Sequence, residues 1–146
     1  MKKLAFCLLM LALTGCKAAN IAKTDSGVPA TDNPIKEVSP VEAEAAVSKA
    51  YSQFIDVRTP EEYSAGHAAR SVNIPLDTLT SNLDRLEKNE PVYLICESGG
   101  RSQQAATFLK NAGFNNVLNV KGGTAAWRQG DLPMETKPPH GSTPVS

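Results

Sequence analysis

The heptapeptide CESGGRS, residues 96–102, follows the apolar run VYLI and places a thiol where a buried strand would end. Residues 101–112 then read as a helix, so Cys96 stands on a strand-to-helix turn. The first N–H groups of a helix have no partner within it and, with the helix dipole, attract negative charge. Gly99 and Gly100 let the backbone curl, so that successive N–H groups converge on one point. A sulfur at that focus has a lowered pKa and is held largely as thiolate. Cys96 is therefore the candidate nucleophile, and Glu97, Ser98, Gly99, Gly100 and Arg101 are the candidate substrate-binding residues. Two chemistries use such a cradle. Phosphoryl transfer needs room for a tetrahedral group around the sulfur, whereas sulfur transfer needs room for one extra sulfur atom carried as a persulfide.

Other side chains serve the site indirectly. Asp56 and Arg58 are two apart on one strand and face the same side; we expect them to pair with neighbours such as Glu61 or Glu62. Ser98 and Ser102 either donate to substrate or cap the helix. Trp127 reads as a packing residue, and a preformed thiolate needs no general base.

The elements that must position this turn alternate strand and helix. IKEV (35–38) makes a first strand. Ser39-Pro40-Val41-Glu42 is a capping box with proline at the first helical position, so a helix starts there and runs to about Lys49. QFIDV (53–57) reads as a buried strand, and Thr59-Pro60-Glu61-Glu62 repeats the cap, opening a short helix that Gly66 ends. SVNI (71–74) is a strand stopped by Pro75. Leu76, Leu79, Leu83 and Leu86 recur on one helical face. PVYLI (91–95) is uninterrupted and apolar, as in a strand covered on both faces. Ala105, Phe108, Leu109 and Ala112 mark a helix closed by Gly113; NVLNV (116–120) is a last strand, and GGTAAWRQG holds a last short helix. This order predicts an α/β domain over residues 35–135, with a central parallel sheet of about five strands and helices on both faces.

The ends of the chain read differently. MKKLAFCLLMLALTGC opens with Lys2 and Lys3 and carries an apolar core from Leu4 to Leu13. That core falls short of the roughly 20 residues a membrane span needs but suits an export signal over residues 1–15. Leu13-Thr14-Gly15-Cys16 resembles the lipobox of bacterial lipoprotein precursors, which implies cleavage before Cys16 and lipidation of its thiol. Each buried methylene contributes about 0.8 kcal/mol, so more than one acyl chain anchors stably. Lys17 in the next position favours the outer membrane, with the domain facing the periplasm. Residues 16–34 then form a flexible tether whose roughly 20 residues span about 25 Å. Residues 136–146 read as a disordered tail in which His140 is idle.

Processing would leave 13 basic and 15 acidic residues, a net charge of −2, because residues 1–15 hold two lysines and no acid. Nucleic-acid binding has no electrostatic support from that balance. Of the three cysteines, Cys7 leaves with the signal and Cys16 is lipidated. Cys96 is then the lone thiol of an exported domain, where oxidation threatens it, so it is expected to serve chemistry and not cross-linking.

FIDVRTPEEYSAGHAARSVNIP (54–75), VYLICESGGRSQQAATFLKNAGF (92–114) and VKGGTAAWRQGDLP (120–133) resemble the rhodanese family. They carry its Asp-Val-Arg strand, its Glu-Tyr-x-x-Gly-His segment, its cysteine loop and its Gly-Gly…Trp…Gly…Pro ending. The resemblance implies a single-domain, monomeric rhodanese fold and a sulfurtransferase without metal or organic cofactor. Cys96 accepts sulfane sulfur, the N–H groups of residues 97–101 hold the persulfide, and Arg101 closes the loop. A small-molecule donor supplies the sulfur, and a thiol or cyanide accepts it. His67 of the Gly-His segment is structural by the same resemblance. Four residues separate Cys96 from Arg101, where phosphatases of this fold carry five; a small phosphatase or arsenate reductase is the enzymatic alternative, and a non-catalytic binding or persulfide-relay module the other. Glu97 and Ser98 stand where thiosulfate-specific members often carry cations, which points to a neutral or thiol-bound donor.

Overall fold

Both capping boxes form in the computed structural model of the chain, which describes residues 34–136. The export signal, Cys16, the tether up to residue 33 and the tail from residue 137, with His140, lie outside the described residues. After strand β1 (Lys36–Val38), the Ser39 hydroxyl accepts the Glu42 N–H at 3.3 Å while the Glu42 carboxylate accepts the Ser39 N–H at 2.9 Å, opening α1 (Pro40–Lys49). Strand β2 (Gln53–Asp56) leads to Thr59, which caps α2 (Pro60–Ala65) in the same way. Proline suits both first positions, because the N–H it lacks would be unpaired there.

The chain continues through β3 (His67–Ala68), β4 (Val72–Asn73), a 3₁₀ segment (Leu76–Arg85), β5 (Val92–Ile95), α3 (Gly100–Asn111), β6 (Val117–Val120), α4 (Gly123–Gln129) and β7 (Met134–Glu135). Five strands pair in the order β1-β6-β5-β2-β4, and every pairing is parallel. This is the α/β architecture expected from the sequence. Side chains alternate across a strand, so the sheet has two apolar faces. On one, Ile55, Val92, Leu94 and Val117 meet Ala105, Ala106 and Leu109 of α3, Leu79 of the 3₁₀ segment and Leu86 just after it. On the other, Phe54, Ile95, Leu118 and Val120 meet Ala43 of α1 and Trp127 of α4. Cys96 belongs to the α3 face.

Two elements depart from the sequence reading. The leucine-rich stretch is 3₁₀ with a break at Asn82 (φ −122°), not one helix. The Asn82 side chain donates to the Thr78 carbonyl at 2.8 Å, taking the acceptor that an α-helix would offer to its own N–H. A second, antiparallel ribbon joins β3 to β7, pairing His67 with Glu135 and Ala68 with Met134. Two residues per strand are too few to show a period in the sequence.

Trp127 is fully buried, with its ring 5.3 Å from that of Phe54 and Nε1 donating to the Pro133 carbonyl at 2.9 Å. Trp127→Ala should therefore cost about 3–5 kcal/mol, read as a lower urea midpoint at unchanged slope. A loss under about 1 kcal/mol, the size of a surface change, would contradict this packing role.

Candidate active site

Cys96 follows β5 directly and is 1% exposed. Gly99 takes φ +103° and ψ −15°, a left-handed turn that only glycine enters freely, and caps α3. That turn swings the Gly99 N–H back to donate to Sγ at 3.1 Å. The Ser102 hydroxyl lies 3.3 Å from Sγ, and the backbone N–H groups of Ser102 and Ser98 add to the positive field around it. Burial pushes the thiol up, but the Ser102 hydroxyl and the three N–H groups outweigh it, and the net shift is downward. Ser98 and Gly99 lie within the span 97–101 expected to hold a persulfide, and Ser102 stands one residue beyond it. Gly100 is already helical, and a side chain there would meet nothing within 4 Å.

Amides that face the sulfur leave their carbonyls to be satisfied elsewhere. The Cys96 carbonyl accepts the Thr124 N–H at 2.7 Å and the Thr124 hydroxyl at 2.8 Å, and the Glu97 carbonyl accepts the Ala125 N–H at 3.0 Å. The start of α4 is thus pressed onto the loop. A Cβ on Gly123, which has φ +58°, would come within 2.2 Å of the Cys96 carbonyl oxygen. Sequence reading missed Thr124; no pattern in GGTAAWRQG separates it from an ordinary helix residue.

Charged side chains brace the loop from outside. The Arg101 guanidinium meets both Glu62 carboxylate oxygens at 2.7 Å, which ties α3 to α2 and holds the Glu62 carboxyl down at about 2. Arg58 does not pair with Glu61 or Glu62 as expected. It is 1% exposed, grips the Asp56 carboxylate through Nε and Nη2 at 2.8–3.1 Å, and gives a further bond to the Gly66 carbonyl. Its remaining arm reaches the Glu97 carboxylate at 3.1 Å, and Arg128 of α4 reaches the same carboxylate at 2.9 Å. Local geometry decides this exchange: Asp56, two residues back, and the Gly66 carbonyl take Nε and Nη2 of the buried guanidinium, while the Glu62 carboxylate is taken by Arg101 of α3. Glu97 is correspondingly neutralised by two arginines instead of standing as a free charge beside the sulfur.

His67 is buried, with Nδ1 2.9 Å from the Tyr63 carbonyl, its ring stacked 3.7 Å from that of Tyr63 and Nε2 3.5 Å from the Glu135 carboxylate. It supports the ribbon, away from the hydrogen bonds to sulfur. Ser98 is exposed and contributes its backbone. Beside the loop, a cleft of about 490 Å³ is walled by Val57, Pro60, Pro75 and Leu76, with Arg101 at its edge. Among the described residues no group of three or more His, Cys, Asp or Glu side chains could hold a metal ion.

Comparison with known proteins bears on the family and the fold. The model of the rhodanese-like domain matches residues 39–130. Thiosulfate sulfurtransferase 16, chloroplastic, of Arabidopsis thaliana is 38% identical over 95 residues, 57% of this chain and 79% of that protein. Thiosulfate sulfurtransferase GlpE of Vibrio cholerae is 31% identical over 93 residues, covering 64% and 88%. The crystal structure of a rhodanese-like domain protein from Staphylococcus aureus superposes with a TM-score of 0.60 at 34% identity, over 64% of this chain and 91% of that one.

Only one glycine of the pair 99–100 is required by the backbone. Gly100→Ala should raise stability by about 0.4–1 kcal/mol and leave alkylation of Cys96 unchanged, whereas Gly99→Ala should destabilise the chain and slow alkylation; equal effects would refute the assigned turn. Glu62 has a depressed pKa, so its contribution is complete above its ordinary value near 4.5 and lost as pH falls towards about 2. Glu62→Gln should therefore flatten the acid limb of a stability–pH curve between those values and lower the plateau above it.

Proposed function

The chain belongs to the rhodanese-like domain family, and on that premise we propose that it transfers sulfane sulfur from a donor to a thiophilic acceptor through a persulfide on Cys96. The observation that carries this reading is the buried sulfur held by the Gly99 N–H and the Ser102 hydroxyl, with its pKa drawn down. The Cys96 thiolate attacks the outer sulfur of the donor, the S–S bond breaks, and its electron pair leaves with sulfite or a thiolate. The outer sulfur of the resulting Cys96 persulfide is then attacked by the acceptor, and the thiolate is restored. No external oxidant or reductant enters either half. The same donors that hold the thiolate stabilise the anionic persulfide.

The tightness of the pocket supports sulfur over phosphoryl chemistry. Four residues separate Cys96 from Arg101, and the sulfur is 1% exposed, a setting that admits one more atom more easily than a tetrahedral phosphoryl group. The pairing of Glu97 with Arg58 and Arg128 removes the repulsion that would have opposed a dianionic donor. The apolar cleft next to the loop supports a thiol-bound donor, whose carbon skeleton would lie along Val57, Pro75 and Leu76. From the sequence of residues 1–16 we further propose a lipid-anchored protein of the bacterial envelope, working as a monomer on the periplasmic side.

Intact-mass measurement of the full chain extracted from membranes checks both parts. Incubation with thiosulfate or an organic persulfide should add about 32 Da, lost on adding cyanide and absent in Cys96→Ser. The extracted chain should begin at Cys16 and carry acyl mass that Cys16→Ala abolishes. Absence of the sulfur adduct with every donor, alongside turnover of a phosphate ester, would overturn the sulfurtransferase reading.

A further inference from the structure

Asn119 is a polar residue within the otherwise apolar strand β6, 2% exposed, and the sulfur chemistry above makes no use of it. It lies in register with Leu94, two residues before Cys96. Its Nδ2 donates to the Gly99 carbonyl at 3.3 Å and to Gln103 Oε1 at 3.1 Å, while its Oδ1 has no hydrogen-bond partner. The amide is not free to turn over, because that would set Oδ1 against the Gly99 oxygen. A buried strand position that accepts an unpaired oxygen in order to aim one donor calls for a reason.

The reason lies in a count of hydrogens and lone pairs. Three donors surround the Gly99 carbonyl: the Gln103 N–H at 3.0 Å, the Ser102 hydroxyl at 3.1 Å and Asn119 Nδ2. A carbonyl oxygen has two lone pairs, and a hydroxyl has one hydrogen. The Ser102 hydroxyl has two acceptors within reach, this carbonyl and Cys96 Sγ at 3.3 Å. When Gln103 and Asn119 fill the carbonyl, the Ser102 hydrogen is left for the sulfur. We propose that Asn119 is a positioning residue: by occupying the Gly99 carbonyl it directs the Ser102 hydroxyl onto Cys96 Sγ. Ser102 is 0% exposed and Cys96 1% exposed, so bulk water is poorly placed to take over either role. Asn119 touches neither sulfur nor substrate and acts through Gly99 and Ser102.

The proposal rests on Cys96 being the working thiol, and its test reads the thiol without requiring sulfur transfer. Iodoacetamide alkylation of Cys96 in the full chain, followed against pH, gives the titration midpoint. Asn119→Ala should raise that midpoint by about half to one pH unit, in the range that hydrogen bonding moves an ionisable group. Asn119→Leu, which keeps the branched outline of asparagine without its polar atoms and leaves no cavity, should do the same and guards against a cavity effect. Ser102→Ala should raise the midpoint at least as far, and the Asn119→Ala, Ser102→Ala double variant no further than Ser102→Ala alone, because both remove one hydrogen bond. An unchanged midpoint in Ser102→Ala overturns the proposal whether or not the Asn119 variants fold. So does a wild-type midpoint in both Asn119 variants, or full additivity in the double variant. Loss of the persulfide adduct with these midpoints intact would instead fault the sulfurtransferase reading.

Discussion

Everything in this domain answers to an opposition of dipoles within one short turn. Each N–H group that faces the Cys96 sulfur belongs to a backbone whose carbonyls must face elsewhere, and a buried carbonyl without a donor is costly. Thr124 and Ala125 meet the carbonyls of Cys96 and Glu97, while Gln103, Ser102 and Asn119 surround that of Gly99. The cradle is therefore built from two directions, by α4 on one side and by β6 with α3 on the other. It could not exist as a free loop.

A second layer of charge keeps that turn in place without competing for the sulfur. Asp56, Arg58, Glu97 and Arg128 form a chain of two carboxylates and two guanidiniums, balanced in formal charge, and Glu62 with Arg101 forms another pair. Exposed ion pairs contribute little to stability, so the value of Arg128–Glu97 and Arg101–Glu62 lies in geometry. Arg58 and Asp56 are different. Both are buried, and removing Arg58 would strand Asp56 as an unpaired charge, a loss of about 3–5 kcal/mol. The same pairing explains why a carboxylate directly after the nucleophile is tolerated.

Local signals in the chain were legible wherever the physics is local. Ser39-Pro40-Val41-Glu42 and Thr59-Pro60-Glu61-Glu62 declare their helices, since a capping box is completed within four residues. VYLI declares a doubly covered strand, and Cys96 is marked by its place between that strand and a helix. The leucine spacing at 76, 79, 83 and 86 correctly gave a buried face but not the helix type, which Asn82 decides through a side-chain bond that periodicity does not register. The β3–β7 ribbon joins residues 66 and 68 positions apart, and no local pattern registers such a pairing. Asn119 carried a faint signal, a polar residue in NVLNV, which reads as noise until Gly99 is seen opposite it.

By itself the sequence determined the parallel α/β order of elements, the position of the nucleophile and the need for a glycine turn after it, because each depends on residues close along the chain. Which donors reach the sulfur, which of two glycines must be glycine, and which carboxylate each arginine takes were decided by the tertiary structure alone. Those outcomes depend on ångström-scale approach between β2, β6, α2 and α4, and hydrogen bonds are too short-ranged for spacing along a chain to encode who meets whom.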